Sequence, residues 1–141
     1  ICLEGGLGSG KTCLARGLGR GWGVGQPLIS PTFVLVREYT RPGNRDGNIQ
    51  DMRLYHVDLY RVSDATEALS LGVDEYLGDE HSVFVIEWAE RARSLIPFEH
   101  MWIRLEFSER ADQTRRALHF TAQGDRHLAL LREFRRAAFG A

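Results

Sequence analysis

The chain reads as an α/β protein built on a mixed sheet. A glycine-rich loop, Gly5-Gly6-Leu7-Gly8-Ser9-Gly10-Lys11-Thr12, follows a short apolar strand and opens a helix. Ser82-Val83-Phe84-Val85-Ile86-Glu87 is a continuous apolar run, as a central strand buried on both faces requires. Residues 33–39 and 52–59 both have strand composition, and the turn formers of 41–48 join them. That pair is antiparallel, so the sheet is mixed.

In chain order, Ile1-Cys2-Leu3-Glu4 is the end of a buried strand. The loop glycines that follow let backbone N–H groups turn toward an anion without Cβ obstruction. A helix over 11–22 places Leu14, Leu18 and Trp22 on one stripe and points its positive end at the same anion. Residues 23–27 form a loop and 33–39 the next strand. The strand 52–59 puts Leu54, His56 and Asp58 on one face and Tyr55, Val57 and Leu59 on the other. Asp64-Ala65-Thr66-Glu67 has the form of a capping box that opens a short helix ended by Gly72. Strands at 101–107 and 115–121 and an amphipathic helix over 125–139, carrying Leu128, Leu131 and Phe134, complete the chain.

The 141 residues suffice for one domain with a real core, spanning 1–141. The chain begins at Ile1, without methionine, inside its first core strand; an N-terminal truncation is expected. A net charge of −1 provides no footprint for tight nonspecific binding to nucleic acid, so no DNA partner is expected. Cys2 and Cys13 make no disulfide framework, and Cys13 reads as a small half-buried filler. No run approaches the ~18 apolar residues of a membrane span, and no signal peptide is visible. A cytoplasmic protein without a membrane partner is the expectation.

The eighteen basic residues include one lysine, Lys11, and it completes the pattern G-x-x-x-x-G-K-[ST]. Where arginine serves every other positive position, the remaining lysine marks a place for a compact ammonium rather than a forked guanidinium. In such a loop Lys11 reaches the β- and γ-phosphates and the Thr12 hydroxyl binds Mg²⁺. A second acidic group is needed for the metal at a neighbouring strand end, and two residues qualify, Glu87 and Asp58. His56 reads as a packed strand histidine rather than a base. Ser30-Pro31-Thr32 lies in a loop where nucleotide switches present a threonine to γ-phosphate and metal. A guanine-nucleotide switch is excluded, because its N-K-x-D base reader needs a second lysine. A small-molecule kinase with Arg91 to Arg93 as its lid, or a binding module without turnover, are the alternatives.

Four motifs in order resemble one family: Gly5-x-Leu7-Gly8-x-Gly10-Lys11-Thr12, Ser30-Pro31-Thr32-Phe33-x-Leu35-Val36, Tyr55-His56-x-Asp58-Leu59-Tyr60-Arg61 and Val85-Ile86-Glu87-Trp88. The chain is similar over residues 1–120 to the TsaE family, small bacterial ATPases of tRNA threonylcarbamoyladenosine biosynthesis. The resemblance implies a three-layer α/β P-loop NTPase fold with a mixed, largely parallel sheet. It also implies ATP or ADP with Mg²⁺ on the loop Gly6, Leu7, Gly8, Ser9, Gly10, Lys11 and Thr12. It assigns Thr32 to a switch loop, Asp58 to hydrolysis, Glu87 with Thr12 to the metal, and Trp88 to a place beside the nucleotide. Arg115 is a further expected nucleotide contact. The implied partners are TsaB and TsaD, with tRNA reached only through their complex. Gly6 replaces the family's usual aspartate, and Cys13 its threonine or serine; neither change removes a phosphate contact. The stretch 64–80 holds six carboxylates and no basic residue, and reads as a solvated acidic face or a docking surface for a basic partner.

Overall fold

A computed structural model describes residues 1–43, 51–77, 79, 81–108 and 114–140. Its elements are β1 (Cys2–Glu4), α1 (Lys11–Trp22), β2 (Val36–Arg41), β3 (Met52–Asp58), α2 (Ala65–Ser70), α3 (Val73–Leu77), β4 (Ser82–Glu87), a 3₁₀ segment (Ala89–Leu95), β5 (His100–Phe107), β6 (Arg116–Gln123) and α4 (Asp125–Phe139). The six strands form one sheet in the order β2-β3-β4-β1-β5-β6. Strands β3, β4, β1 and β5 run parallel; β2 and β6 are antiparallel edges. The expected mixed, largely parallel sheet is therefore present.

Alternation along the strands feeds a separate core on each face. Val57, Leu59, Ile86 and Trp102 pack with Ala68 of α2, Val73 of α3 and Ala89 and Ala92 of the 3₁₀ segment. Leu3, Leu54, Val85, Met101 and Ile103 pack with Ala15 of α1, and Leu131 of α4 lies against them. Helices thus cover both faces, giving three layers. Helix α1 comes so close to the following loop that a Cβ on Gly19 would overlap Leu28 Cδ1.

Three local expectations need correction. Residues 33–35 are not strand: the Pro31 carbonyl accepts from Val34 N–H (2.8 Å) and Leu35 N–H (2.7 Å), and Leu35 adopts φ 66. The rigid Pro31 starts a turn whose hydrogen bonds override the β-propensity of the side chains, and the strand begins only at Val36. The capping box is split. Asp64 accepts from Glu67 N–H, but the Glu67 carboxylate reaches back to Ser63, accepting from its N–H and hydroxyl. Cys13 is exposed rather than half-buried. The stripe that α1 buries is Lys11, Ala15 and Gly19, and Cys13 lies about 200° round the helix from Lys11. Most of the expected hairpin turn, residues 44–48, lies outside the described residues, although β2 and β3 pair antiparallel from Val36–Val57 to Arg41–Met52.

Candidate functional site

Parallel strands end on the same side, so the loops after β1, β3 and β4 meet at one edge of the sheet, where α/β proteins place their ligands. β1 delivers the glycine-rich loop. Gly5 has φ 152, and a Cβ there would lie 2.5 Å from the Leu105 carbonyl oxygen, so only glycine lets the chain leave the strand this tightly. Gly6, Leu7 and Gly8 are exposed; Ser9 is buried. Nothing would obstruct a side chain at Gly6. Gly10 precedes the first turn of α1, whose N-terminal N–H groups face the same opening.

Lys11 is only 4% exposed. Its ammonium donates to the carbonyls of Gly5 (2.5 Å) and Gly6 (2.9 Å) and lies 3.7 Å from the centre of the Trp88 ring. Burial pushes the Lys11 ammonium below the ordinary lysine value, while Glu87, Glu90 and Asp58 pull it back up. Trp88 sits at φ 58, ψ 37, a conformation rare for a bulky side chain, and this turn at the end of β4 brings its indole under the lysine.

Asp58 and Glu87 are register partners at the ends of β3 and β4. Both are buried, and each has its oxygens engaged. Glu87 accepts from the Thr12 hydroxyl on Oε2 (2.7 Å) and from His56 Nε2 on Oε1 (2.8 Å). Asp58 accepts from the Thr32 hydroxyl on Oδ2 (2.5 Å) and from the Tyr60 N–H on Oδ1 (2.9 Å). The two candidate carboxylates therefore separate: Glu87 is tied to Thr12 behind the glycine-rich loop, Asp58 to the loop carrying Ser30-Pro31-Thr32. That loop is anchored behind Thr32, since Tyr39 Oη accepts from Ile29 N–H (2.9 Å) and Arg16 Nε donates to the Leu28 carbonyl (3.0 Å).

The result is a cleft of about 330 Å³ that brings together Lys11, Thr12, Thr32, Asp58, Glu87 and Trp88. The N-terminus of α1 and the buried Lys11 ammonium give one wall a positive character that suits an anion. The other wall suits a hard cation. Thr12 Oγ1 and Glu87 Oε2 are two oxygen donors 2.7 Å apart, near the ~2.9 Å edge of an octahedron with Mg²⁺–oxygen bonds of 2.0–2.1 Å. Among the described residues no group of three or more His, Cys, Asp or Glu side chains could hold a metal unaided. Mg²⁺ at nucleotide sites uses one or two carboxylates and completes its shell with phosphates and water.

Two residues here carry more than sequence reasoning assigned them. His56 is packed, as expected, yet its one bond goes to Glu87; the signal was its i, i+2 spacing from Asp58 on one strand face. Arg116 reaches the loop with its guanidinium, Nε on the Ser9 carbonyl (3.1 Å), Nη2 on that of Gly8 (3.3 Å) and the Phe107 ring 4.1 Å away. Arg115, the expected contact, is exposed one position earlier, and its carbonyl accepts from Arg116 Nη1.

The chain matches the family model "Threonylcarbamoyl adenosine biosynthesis protein TsaE" over residues 1–117. The tRNA threonylcarbamoyladenosine biosynthesis protein TsaE of Bacillus subtilis is 37% identical over 136 residues, covering 96% of this chain and 77% of the relative. That of Nostoc sp. is 47% identical over 94 residues, covering 64% of this chain and 52% of the relative. That of Haemophilus influenzae is 34% identical over 111 residues, covering 79% and 65%. The crystal structure of Bacillus subtilis YdiB superposes with a TM-score of 0.67 at 32% identity, covering 96% of this chain and 76% of that one. The chain thus spans from about half to about three quarters of the length of these relatives.

Proposed function

This chain belongs to the TsaE family of tRNA threonylcarbamoyladenosine biosynthesis, and from that premise we propose that it binds and hydrolyses Mg²⁺-ATP to support turnover of a TsaB–TsaD complex. That complex would form N6-threonylcarbamoyladenosine at position 37 of tRNA, and this chain would meet tRNA only through it. One observation carries the reading: a single cleft holds the anion wall of Lys11 and the loop beside the oxygen pair Thr12–Glu87, with Asp58 and Thr32 opposite.

Each side chain then has a distinct task. The loop N–H groups and Lys11 hold the β- and γ-phosphates, and Trp88 presses on the lysine from the strand side. Thr12 and Glu87 would hold Mg²⁺, which neutralises charge on the phosphate oxygens when bound. Asp58, buried at the end of β3 and not part of the Thr12–Glu87 pair, would accept a hydrogen bond from the attacking water and orient it. Thr32 is bonded to Asp58, so turning its hydroxyl toward a γ-phosphate means leaving that carboxylate, which couples the loop to the nucleotide state.

The kinase alternative needs a free arginine lid. Arg91 instead donates to the Val62 carbonyl (2.9 Å), and Arg93 pairs with Glu4 and lies 4.0 Å from the Trp102 ring centre. The described residues share one sheet and read as one domain. Among them no helix is long and apolar enough to cross a membrane. The test is phosphate release by the purified chain, alone and titrated with TsaB–TsaD, with ATP and GTP compared. Slow release that the pair accelerates supports the reading. A fast rate indifferent to the pair, transfer of label to a metabolite, or equal affinity for GTP would overturn it.

A further inference from the structure

His56 is a buried polar side chain whose chemistry the proposed function leaves unused. It is 0% exposed, in the middle of the sheet, two positions before Asp58 on the same face of β3. Its Nε2 lies 2.8 Å from Glu87 Oε1; because a carboxylate only accepts, Nε2 carries the hydrogen. Its Nδ1 is buried with no hydrogen-bond partner among the described residues. A ring placed only to fill volume would be better apolar, since a buried unpaired nitrogen is costly. The single bond to Glu87 is the interaction that this imidazole makes.

Glu87, 2% exposed, needs partners for both oxygens. It has two, His56 on Oε1 and the Thr12 hydroxyl on Oε2. Thr12 belongs to the loop and would itself turn to the cation. His56 belongs to the sheet and would not move. We infer that His56 is a positioning residue for the metal: it holds Oε1 of Glu87 and thereby aims Oε2 at the Thr12 side, where Mg²⁺ would bind. This rests on the reading of Glu87 as the metal carboxylate. Partners that orient ligating groups in this way typically matter by ten- to a hundred-fold in metal affinity.

The experiment titrates Mg²⁺ into the full chain with a fluorescent ATP analogue, and measures analogue affinity in EDTA and thermal midpoints for each variant. His56→Phe keeps the ring and removes the donor; His56→Gln places an amide N–H at the ε position; Glu87→Gln runs in parallel. The expected result for His56→Phe is a rise of roughly ten- to a hundred-fold in the apparent Mg²⁺ dissociation constant. Metal-free analogue affinity should stay close to the parent's, and His56→Gln should recover most of the Mg²⁺ affinity. If Glu87→Gln weakens Mg²⁺ and His56→Phe does not, the positioning role is wrong while the metal assignment stands. Parallel losses of stability, metal-free affinity and Mg²⁺ affinity in both His56 variants would also overturn it. If Glu87→Gln leaves Mg²⁺ binding unchanged, the metal assignment fails and this inference with it. Should His56→Phe not fold, His56→Asn, whose amide stops short of the ε position, replaces it; equal Mg²⁺ affinity in the Asn and Gln variants would refute the role.

Discussion

The Lys11 ammonium lies 3.7 Å from the centre of the Trp88 indole, clamped between that ring and the carbonyls of Gly5 and Gly6. Two sides of that space are set by backbone and by a ring in a constrained conformation. Lys11→Ala should lower ATP affinity by roughly ten- to a hundred-fold, the worth of a 1.5–3 kcal/mol bond to a charged group. Lys11→Arg should do nearly the same despite keeping the charge, because the planar fork overfills the slot. Isothermal titration with ATP decides it, and a parent-like arginine variant would show that charge alone is sufficient.

The separation of the two carboxylates predicts opposite phenotypes. Glu87→Gln should weaken Mg²⁺ retention by about tenfold or more, at least 1.4 kcal/mol, with a smaller effect on nucleotide binding. Asp58→Asn should retain ATP affinity and slow hydrolysis by about a hundred-fold or more if it orients water. Parent-rate hydrolysis by Asp58→Asn in the full TsaB–TsaD complex would make Asp58 structural.

Thr32 donates to Asp58, and its loop is anchored at Leu28 and Ile29 behind it. Thr32→Ala should abolish most of the acceleration by TsaB–TsaD, while ATP affinity falls by no more than one ordinary hydrogen bond, about 1 kcal/mol. Thr32→Ser should keep the acceleration. Steady-state phosphate release against partner concentration separates these cases.

Glu90 follows Trp88 by two residues and is half-buried, with Oε2 lacking a partner among the described residues. Burial raises its carboxyl above the ordinary 4.5, with Glu4 adding to the rise and Lys11 and Arg91 opposing it. A raised folded value means the unfolded chain releases this proton first. Stability therefore falls as pH climbs from 4.5 through the raised value, and the full penalty stands above it. Glu90→Gln should raise the thermal midpoint at pH 7 and lose that advantage below pH 4.5. Melting curves across this range check the sign; an advantage independent of pH would contradict it.

Two glycines of α1 should respond oppositely to alanine. At Gly17 a Cβ meets nothing within 4 Å, so Gly17→Ala should stabilise by about 0.5–1 kcal/mol through helix propensity. At Gly19 it would overlap buried Leu28, and overpacking of about 1–3 kcal/mol outweighs that gain. With roughly 2–4 °C per kcal/mol for a chain of this size, differential scanning calorimetry resolves the two.

The sequence by itself determined the loop, the helix Lys11–Trp22, the strand Ser82–Glu87 and the final helix Asp125–Phe139 with their bounds, because these rest on local signals. A glycine pattern, an apolar run and a helical period are all written within a few residues of one another. It also identified Asp58 and Glu87 as strand-end carboxylates. The residues alone left both open as the metal carboxylate, and only the family resemblance divided their roles; which loop each oxygen meets is visible in the tertiary structure alone. Residues 12 and 87, or 32 and 58, come together only when β1, β3 and β4 lie parallel and in register. The same holds where expectation departed from the fold. Residues 33–35 turn because the Pro31 carbonyl takes the N–H groups of Val34 and Leu35, and the contact of Arg116 with the Gly8 and Ser9 carbonyls joins residues more than a hundred positions apart. His56 reads as a packed strand histidine, and only the pairing of β3 with β4 shows that its nitrogen meets Glu87. Hydrogen bonds between residues distant in the chain leave no periodicity in the sequence, so tertiary structure alone decides them.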